Sequence, residues 1–240
     1  MYAYIIPVPA KPVKIRLSSE DRRERILRAA LNVFAEAGFH GTTTKALAKA
    51  AGVSEALIFR HFPSKEVLYA ALQEACCGMK SRDESERVMN LEPSTSTLVI
   101  MVHFFLGKML RASKQTDEVE HELYRMMLNS YLEDGQFARQ FMQHVAEDLI
   151  AKLEASVKAA EKAGDLVDCP VRPNLRAWFF EHFAAMLMLN QLSGKPIVDF
   201  KQSKTDQLEQ ATWFALLGLG LKAEAIRRYY NPKALALLAG

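Results

Sequence analysis

Cysteine is scarce in this 240-residue chain. There are three, Cys76, Cys77 and Cys169, an odd number without a CxxC pair. That excludes a secreted disulfide framework. The adjacent Cys76 and Cys77 read as two small core residues on a helix. Long apolar runs are missing too. The stretch Ala211–Leu221 is uncharged for eleven residues, well short of the roughly 20 needed to span a bilayer. The first seventeen residues carry three prolines and no charged leader, a poor signal peptide. A soluble, cytoplasmic protein without membrane association is expected. Persistent strand alternation and repeats of 20–50 residues are absent, as are a P-loop, a GxGxxG and a GxSxG. A helical di-metal site wants two Glu-x-x-His motifs, and the only one here is Glu118 to His121. Enzymatic apparatus is therefore not visible, and no cofactor or metal is expected.

What is present is an ordinary globular balance, 50% hydrophobic and 25% charged, enough for a sizeable core in one large or two small domains. The charge is uneven. Lys11 to Glu66 holds eleven Lys/Arg against six Asp/Glu, and the remainder twenty against twenty-two. A basic N-terminal third fits an anionic partner. On charge alone it fits a solvated helix face equally well.

Helical periodicity dominates. Residues 1–17 read as an extended arm, with Lys11, Lys14 and Arg16 within reach of phosphates or simply in a disordered tail. Ser18 or Ser19 caps a helix whose apolar face runs Ile26, Ala30, Val33, Ala37, with Leu27 and Phe34 beside it. Gly38 ends that helix. Two short helices follow, one on each side of Gly52, then a longer helix over 65–79 with Ser64 as cap. A charged stretch to Pro93 marks a change of arrangement. Further helices are expected over 94–112, 117–132, 137–163, 174–192 and 206–229, with a short tail at 232–238. The fold class is all-α: an N-terminal three-helix unit over 18–65 and a larger helical bundle over 66–240, joined by the helix 65–79.

The segment "TTKALAKAAGVSEALIFRHFPSKE", Thr43–Glu66, carries the chemistry. A tight turn between two helices at a steep angle needs the positive φ that glycine takes freely. Ala48 must be small because the second helix crosses close to it, and Val53 and Ile58 pack inward against Leu47 and Phe62. Ala48, Gly52 and Ile58 have the helix-turn-helix spacing. The second helix then stays exposed and suits the major groove of B-DNA. Thr43 and Thr44 begin the first short helix, where hydroxyls and free N–H groups meet phosphate. Lys65 is placed for a second phosphate. Taken alone, the same pattern fits an αα-corner inside a bundle.

With those residues in view, Gly38–Leu68 resembles the N-terminal domain of TetR-family transcriptional regulators. The features are G-x-x-x-T-T, the A-x-x-A-G-V-S turn, the aromatic-x-H-F run and the closing P-x-K-E, in order and at the family's spacing. The likeness covers Arg22 to Leu72. It implies double-stranded DNA as partner, contacted by Thr44, Ser54, Glu55, Ala56, Phe59, Arg60, His61 and Lys65. Arg60 reaches phosphate or guanine, and Ala56 allows close approach or meets a thymine methyl. Phe59 stands where many members carry tyrosine and gives up a phosphate hydrogen bond. Glu55 either accepts from a cytosine or turns to solvent or a lysine. His61 is either a phosphate donor or a buried structural histidine.

The resemblance further implies a homodimer through two late helices, with Phe183, Leu187, Trp213, Phe214 and Leu217 as interface residues and a palindromic operator. It also implies a small apolar or amphipathic effector whose binding displaces the helix 65–79 and releases DNA, as for a repressor. Phe104, Phe105, Met109, Tyr124, Met127, Phe141, Phe179, His182 and Met186 are candidates to line its cavity, each of them equally readable as core. A helical carrier or interaction protein without DNA binding is the other reading.

Overall fold

The structure, a computed structural model, describes residues 18–77, 83–111 and 118–238. The expected arm of residues 1–17 with Lys11, Lys14 and Arg16 lies outside the described residues, as do residues 78–79 of the expected linking helix and the side chains of Cys76 and Cys77.

Helix α1, Ser19–Gly41, starts at a capping box. Ser18 Oγ accepts the Asp21 N–H and Asp21 Oδ2 accepts the Ser18 N–H, both at 3.0 Å, so two orphan donors of the first turn are satisfied reciprocally. Its buried face is Ile26, Leu27, Ala30, Leu31, Phe34 and Ala35. Val33 is only half-buried and Ala37 is exposed, so the stripe lies one position round from the one expected. Gly38 ends the regular part of the helix, as expected. It bends the chain at φ 68° and ψ 178°, and one more turn follows to Gly41. Helices α2 (Thr44–Ala51) and α4 (Lys65–Cys77) pack on α1, and α3 (Glu55–His61) packs on α2.

The larger body begins with α5 (Asp83–Met89), a short helix inside the stretch expected only to mark a change of arrangement. Helix α6 (Thr95–Arg111), α7 (Glu118–Leu132) and α8 (Gln136–Phe141) follow. A π-helical turn, Met142–Ala146, links α8 to α9 (Glu147–Lys162), and α10 spans Pro173–Leu189. The helix expected over 206–229 is two. After α11 (Lys204–Gly218) the chain turns at Gly220, φ 95°, and α12 (Ala223–Tyr229) restarts before α13 (Pro232–Leu238). The break is tied down. Leu221 forms an isolated antiparallel bridge with Leu166. Buried Arg176 donates to the carbonyls of Val171, Leu219 and Cys169 at 2.6, 3.2 and 3.3 Å. Its cation therefore sits at the carbonyl end of α11, where the helix dipole favours positive charge.

Two apolar cores result. The first does not stop at residue 65: Phe34, Leu47, Ile58, Phe62 and Leu68 are continuous with Met126 and Met127 of α7, Phe137 of α8 and Met188 of α10. The second joins Leu98, Val102 and Leu106 of α6 to Leu153 and Val157 of α9, Phe180 of α10 and Leu216 of α11. Met109 packs against both. Among the described residues, no helix is long and apolar enough to cross a membrane.

Candidate nucleic-acid interface

The turn between α2 and α3 is built around one glycine. Gly52 has φ 64° and ψ 38°, and its N–H reaches the carbonyls of Ala48 and Lys49. Val53 N–H donates to Ala48 O at 3.0 Å, closing the last turn as a left-handed cap does. Any side chain here would also crowd Arg25, whose Nη2 lies 2.8 Å from where a Cβ would stand. Thr43 Oγ1 caps α2 by accepting the Ala46 N–H at 3.2 Å, and Ser54 Oγ caps α3 by accepting the Leu57 N–H at 3.2 Å.

These constraints roll α3 so that Ile58 is 2% exposed, set among Leu47, Ala48, Ala51 and Phe62, with Val53 half-buried beside them. The opposite face is open: Ser54, Glu55, Ala56, Phe59 and Arg60 are all exposed. His61 is half-buried, its ring 6.4 Å from that of Phe62. Thr43 is exposed and Thr44 half-buried at the start of α2. Lys45 and Lys49 of α2 are exposed as well. These two were missed by motif reading because the motif fixes small and apolar positions, whereas a basic residue on a helix surface looks like any solvated lysine.

The Lys65 ammonium donates to Phe39 O at 2.8 Å and Thr42 O at 3.1 Å, and stands 4.3 Å from the centroid of the Phe39 ring. The lysine is drawn back to the carbonyl end of α1, where partial negative charge and an aromatic face hold it. In this geometry it braces α1 against α4 with two of its three donors.

The nine expected cavity residues do not converge. Phe104 lines a cavity of about 260 Å³. Phe105 meets it edge-on and packs on the second core. Tyr124 and Met127 are buried in the first core, because α7 turns its apolar stripe toward α1, and Phe141 packs there beside Phe137. Met109 lies between the cores. Phe179 and Met186 are 61% and 63% exposed, and His182 is exposed too. Spaced by three and four along α10, they point away from the body. A larger open cleft, about 520 Å³, lies at the α7–α8 turn between Glu133, Arg139 and Trp178, none of which stood out in the sequence.

The expected interface residues lie on α10 (Phe183, Leu187) and α11 (Trp213, Phe214, Leu217). Phe183 packs on Phe214 of α11 with ring centroids 5.0 Å apart. Phe214 is 65% and Leu217 50% exposed. Leu187 and Trp213 are half-buried, and the Arg227 guanidinium lies 6.0 Å from the Trp213 ring. The loop after α10 adds exposed Ile197, Val198 and Phe200. Periodicity could not flag them, because they follow no helix.

The lone Glu-x-x-His has a structural explanation. His121 is buried, with Nδ1 3.2 Å from Glu122 Oε1 and Nε2 2.9 Å from Leu192 O, tying α7 to the end of α10.

The geometry of α2 and α3 coincides with a known sequence pattern: the family model for bacterial regulatory proteins of the tetR family matches residues 26–72. Residues 26–72 thus carry the N-terminal domain of tetR-family regulators. The HTH-type transcriptional regulator RutR of Escherichia coli (strain K12) is 47% identical over 51 residues, 21% of this chain and 24% of RutR. The matched segment thus spans about a quarter of that relative's length. A TetR-like transcriptional regulator from Rhodococcus sp. RHA1 superposes with a TM-score of 0.58 at 20% identity, over 85% of this chain and all of that one. The transcriptional regulator FadR from Bacillus subtilis, solved in complex with stearoyl-CoA, gives a TM-score of 0.56 at 14% identity, over 81% of this chain and 98% of FadR. At such identities these likenesses carry the fold alone. The relatives and neighbours named here are transcriptional regulators.

Proposed function

We propose that this protein is a TetR-family, ligand-responsive repressor acting in the cytoplasm. It binds a palindromic operator as a homodimer and leaves it when a small, mostly apolar or amphipathic effector binds. The single observation that carries the reading is α3: one wall is locked into the core by Ile58, and the other offers Ser54, Glu55, Ala56, Phe59 and Arg60 outward. Thr43, Thr44 and His61 flank that wall. An exposed helix on a rigid frame is what the major groove admits. Arg60 is the guanine or phosphate contact, Ser54 and Ala56 allow close approach, and Phe59 supplies apolar contact.

Dimerisation through α10 and α11 is supported by the exposed Phe179, Met186, Phe214 and Leu217, apolar surface of the kind that marks an interface. That FadR carries stearoyl-CoA on the same fold supports an apolar effector here.

A gel shift of the full chain against the DNA upstream of its own gene, repeated over a salt series, tests the reading. Binding should weaken steeply with salt, because each phosphate neutralised contributes about −0.9 to the slope of log K against log salt. Arg60→Ala should weaken it further. Equal, salt-insensitive retention of operator and unrelated DNA would refute the proposal.

A further inference from the structure

The cavity of about 260 Å³ lies among α5, α6, α11 and α13, away from the exposed wall of α3. Most of its lining is apolar, with Phe104, Leu208 and Leu235 among the side chains. The polar lining is Arg87, Arg111 and His103, and no carboxylate belongs to it among the described residues. An apolar chamber whose polar groups are mainly guanidiniums selects an anion with a hydrocarbon body. Guanidinium matches the planar carboxylate through two parallel N–H donors.

Gly107 is an independent observation pointing the same way. It sits within α6 without a positive φ, where glycine costs about 0.5–1 kcal/mol relative to alanine. Backbone geometry therefore gives no reason for it, and the space does. A Cβ there would stand 3.2 Å from Arg111 Nη1 and 3.5 Å from Leu208 Cδ2. The missing side chain keeps the chamber open beside its own cation.

We propose that this cavity binds a small amphipathic monocarboxylate, aliphatic or aryl-aliphatic, with its carboxylate held by Arg87 and Arg111 and its body against Phe104, Leu208 and Leu235. Size follows from volume: a water occupies about 30 Å³ of liquid, so the chamber suits a molecule of about ten non-hydrogen atoms. His103 fits this assignment. Burial, and then the Arg111 charge, lower its pKa, and its Nδ1 lies 3.2 Å from the Tyr230 hydroxyl. It therefore serves as a neutral wall and hydrogen-bonding group, leaving the positive charge on the guanidiniums. Neither guanidinium has to be without a partner for this. Each has five N–H donors and takes a carboxylate while keeping another contact.

The assignment deepens the regulator reading and rests on it only for its effect on DNA. Helix α6 carries Phe104 and Arg111 on the cavity, and between them Met109, whose sulfur accepts the Tyr124 hydroxyl of α7 at 3.7 Å. Helix α7 in turn packs on α1. A ligand that wedges α6 thus presses on the element that braces the helix-turn-helix unit.

Calorimetric titration of the full chain tests the site without DNA. Octanoate and 3-phenylpropionate should bind saturably, and octan-1-ol and octylamine at least about tenfold more weakly, the loss expected for a missing charge-assisted pair. Arg87→Gln and Arg111→Gln should each weaken octanoate by about tenfold. Gly107→Leu, which fills the chamber, should abolish binding. Thermal melts establish that each variant is folded, and the arginine variants decide should Gly107→Leu not fold. The proposal fails if neither acid binds up to about 10 mM. It also fails if octylamine or octan-1-ol binds as tightly as octanoate, or if the double arginine variant binds like the parent. Octanoate binding without a change in the gel shift would sink only the link to DNA. Octanoate binding by a protein that shifts no DNA even without ligand would sink only the regulator reading.

Discussion

Glu133 and Phe39 meet across ninety-four residues of sequence through one hydrogen bond, the Phe39 N–H donating to Glu133 Oε2 at 3.3 Å. One turn earlier on α7, Asn129 Nδ2 donates to Ala35 O at 2.9 Å. Together the two side chains hold α1 on both sides of its bend at Gly38. The body of the protein therefore grips the helix that frames the α2–α3 turn, and it does so where that helix is least able to support itself.

Gly38 is the sensitive point of this joint. Its φ of 68° with ψ of 178° lies in a region only glycine occupies readily, and a Cβ there would collide with Glu133 Oε1. Gly38→Ala should cost about 1–3 kcal/mol in denaturant melts at unchanged m. Adding Glu133→Ala relieves the collision but not the backbone, so the double variant should recover only part of the loss. A Gly38→Ala protein as stable as the parent would show that the bend relaxes freely.

The brace at Lys65 separates two roles that give different salt dependences. Lys65→Ala leaves the carbonyls of Phe39 and Thr42 without their charged donor, at a cost of about 1–3 kcal/mol, read as a lower melting temperature. A phosphate contact would also reduce the magnitude of the salt slope of DNA binding by about 1. The geometry predicts destabilisation with the slope unchanged. An unchanged melt with a shallower slope would return Lys65 to the phosphate.

The helix-turn-helix was legible because its constraints are local. Ala48, Gly52 and Ile58 lie within eleven residues, and each restricts the chain through its own size or φ. The break between α11 and α12 was not, since "LLGLGLK" reads as an apolar helix until Leu166 and Arg176 take up its backbone groups. The brace at Lys65 was hidden for a related reason, since the carbonyls it meets lie 23 and 26 residues earlier. The cavity was the least visible feature. Its lining comes from four helices between residues 87 and 235, and its arginines resemble ordinary surface charge. Of the nine aromatic, methionine and histidine positions followed, Phe104 lines it, whereas α7 uses Tyr124 and Met127 in packing against α1.

On α3, opposite faces of one turn should behave in opposite ways. Ile58→Ala empties a fully packed position, with an expected loss of about 2–5 kcal/mol. Arg60→Ala removes an exposed side chain and should change stability by no more than about 0.5 kcal/mol while weakening operator binding and altering base preference. Parallel melts and gel shifts with single-base operator variants separate the two. Loss of stability in Arg60→Ala, with base preference intact, would mean that the arginine holds the fold rather than reads the groove.

The outward face of α10 and α11 makes the assembly testable by a single charge. Phe214 is largely exposed yet packs on Phe183, and Phe179 and Met186 stand four residues before and three after Phe183 on the same helix. In a monomer Phe214→Glu would remove an exposed apolar ring at little cost. In a dimer it would bury two carboxylates near a two-fold axis, where charge without a partner is expensive. Sedimentation should therefore show the parent as a dimer and Phe214→Glu as a monomer, with the circular dichroism of both alike. DNA binding should fall with dimerisation, because one α3 cannot engage both halves of a palindrome. Phe214→Leu, which keeps the face apolar, should remain dimeric. If Phe214→Glu sediments as the parent does, the dimer is formed by another surface, and the exposed stripe on α10 has a different occupant.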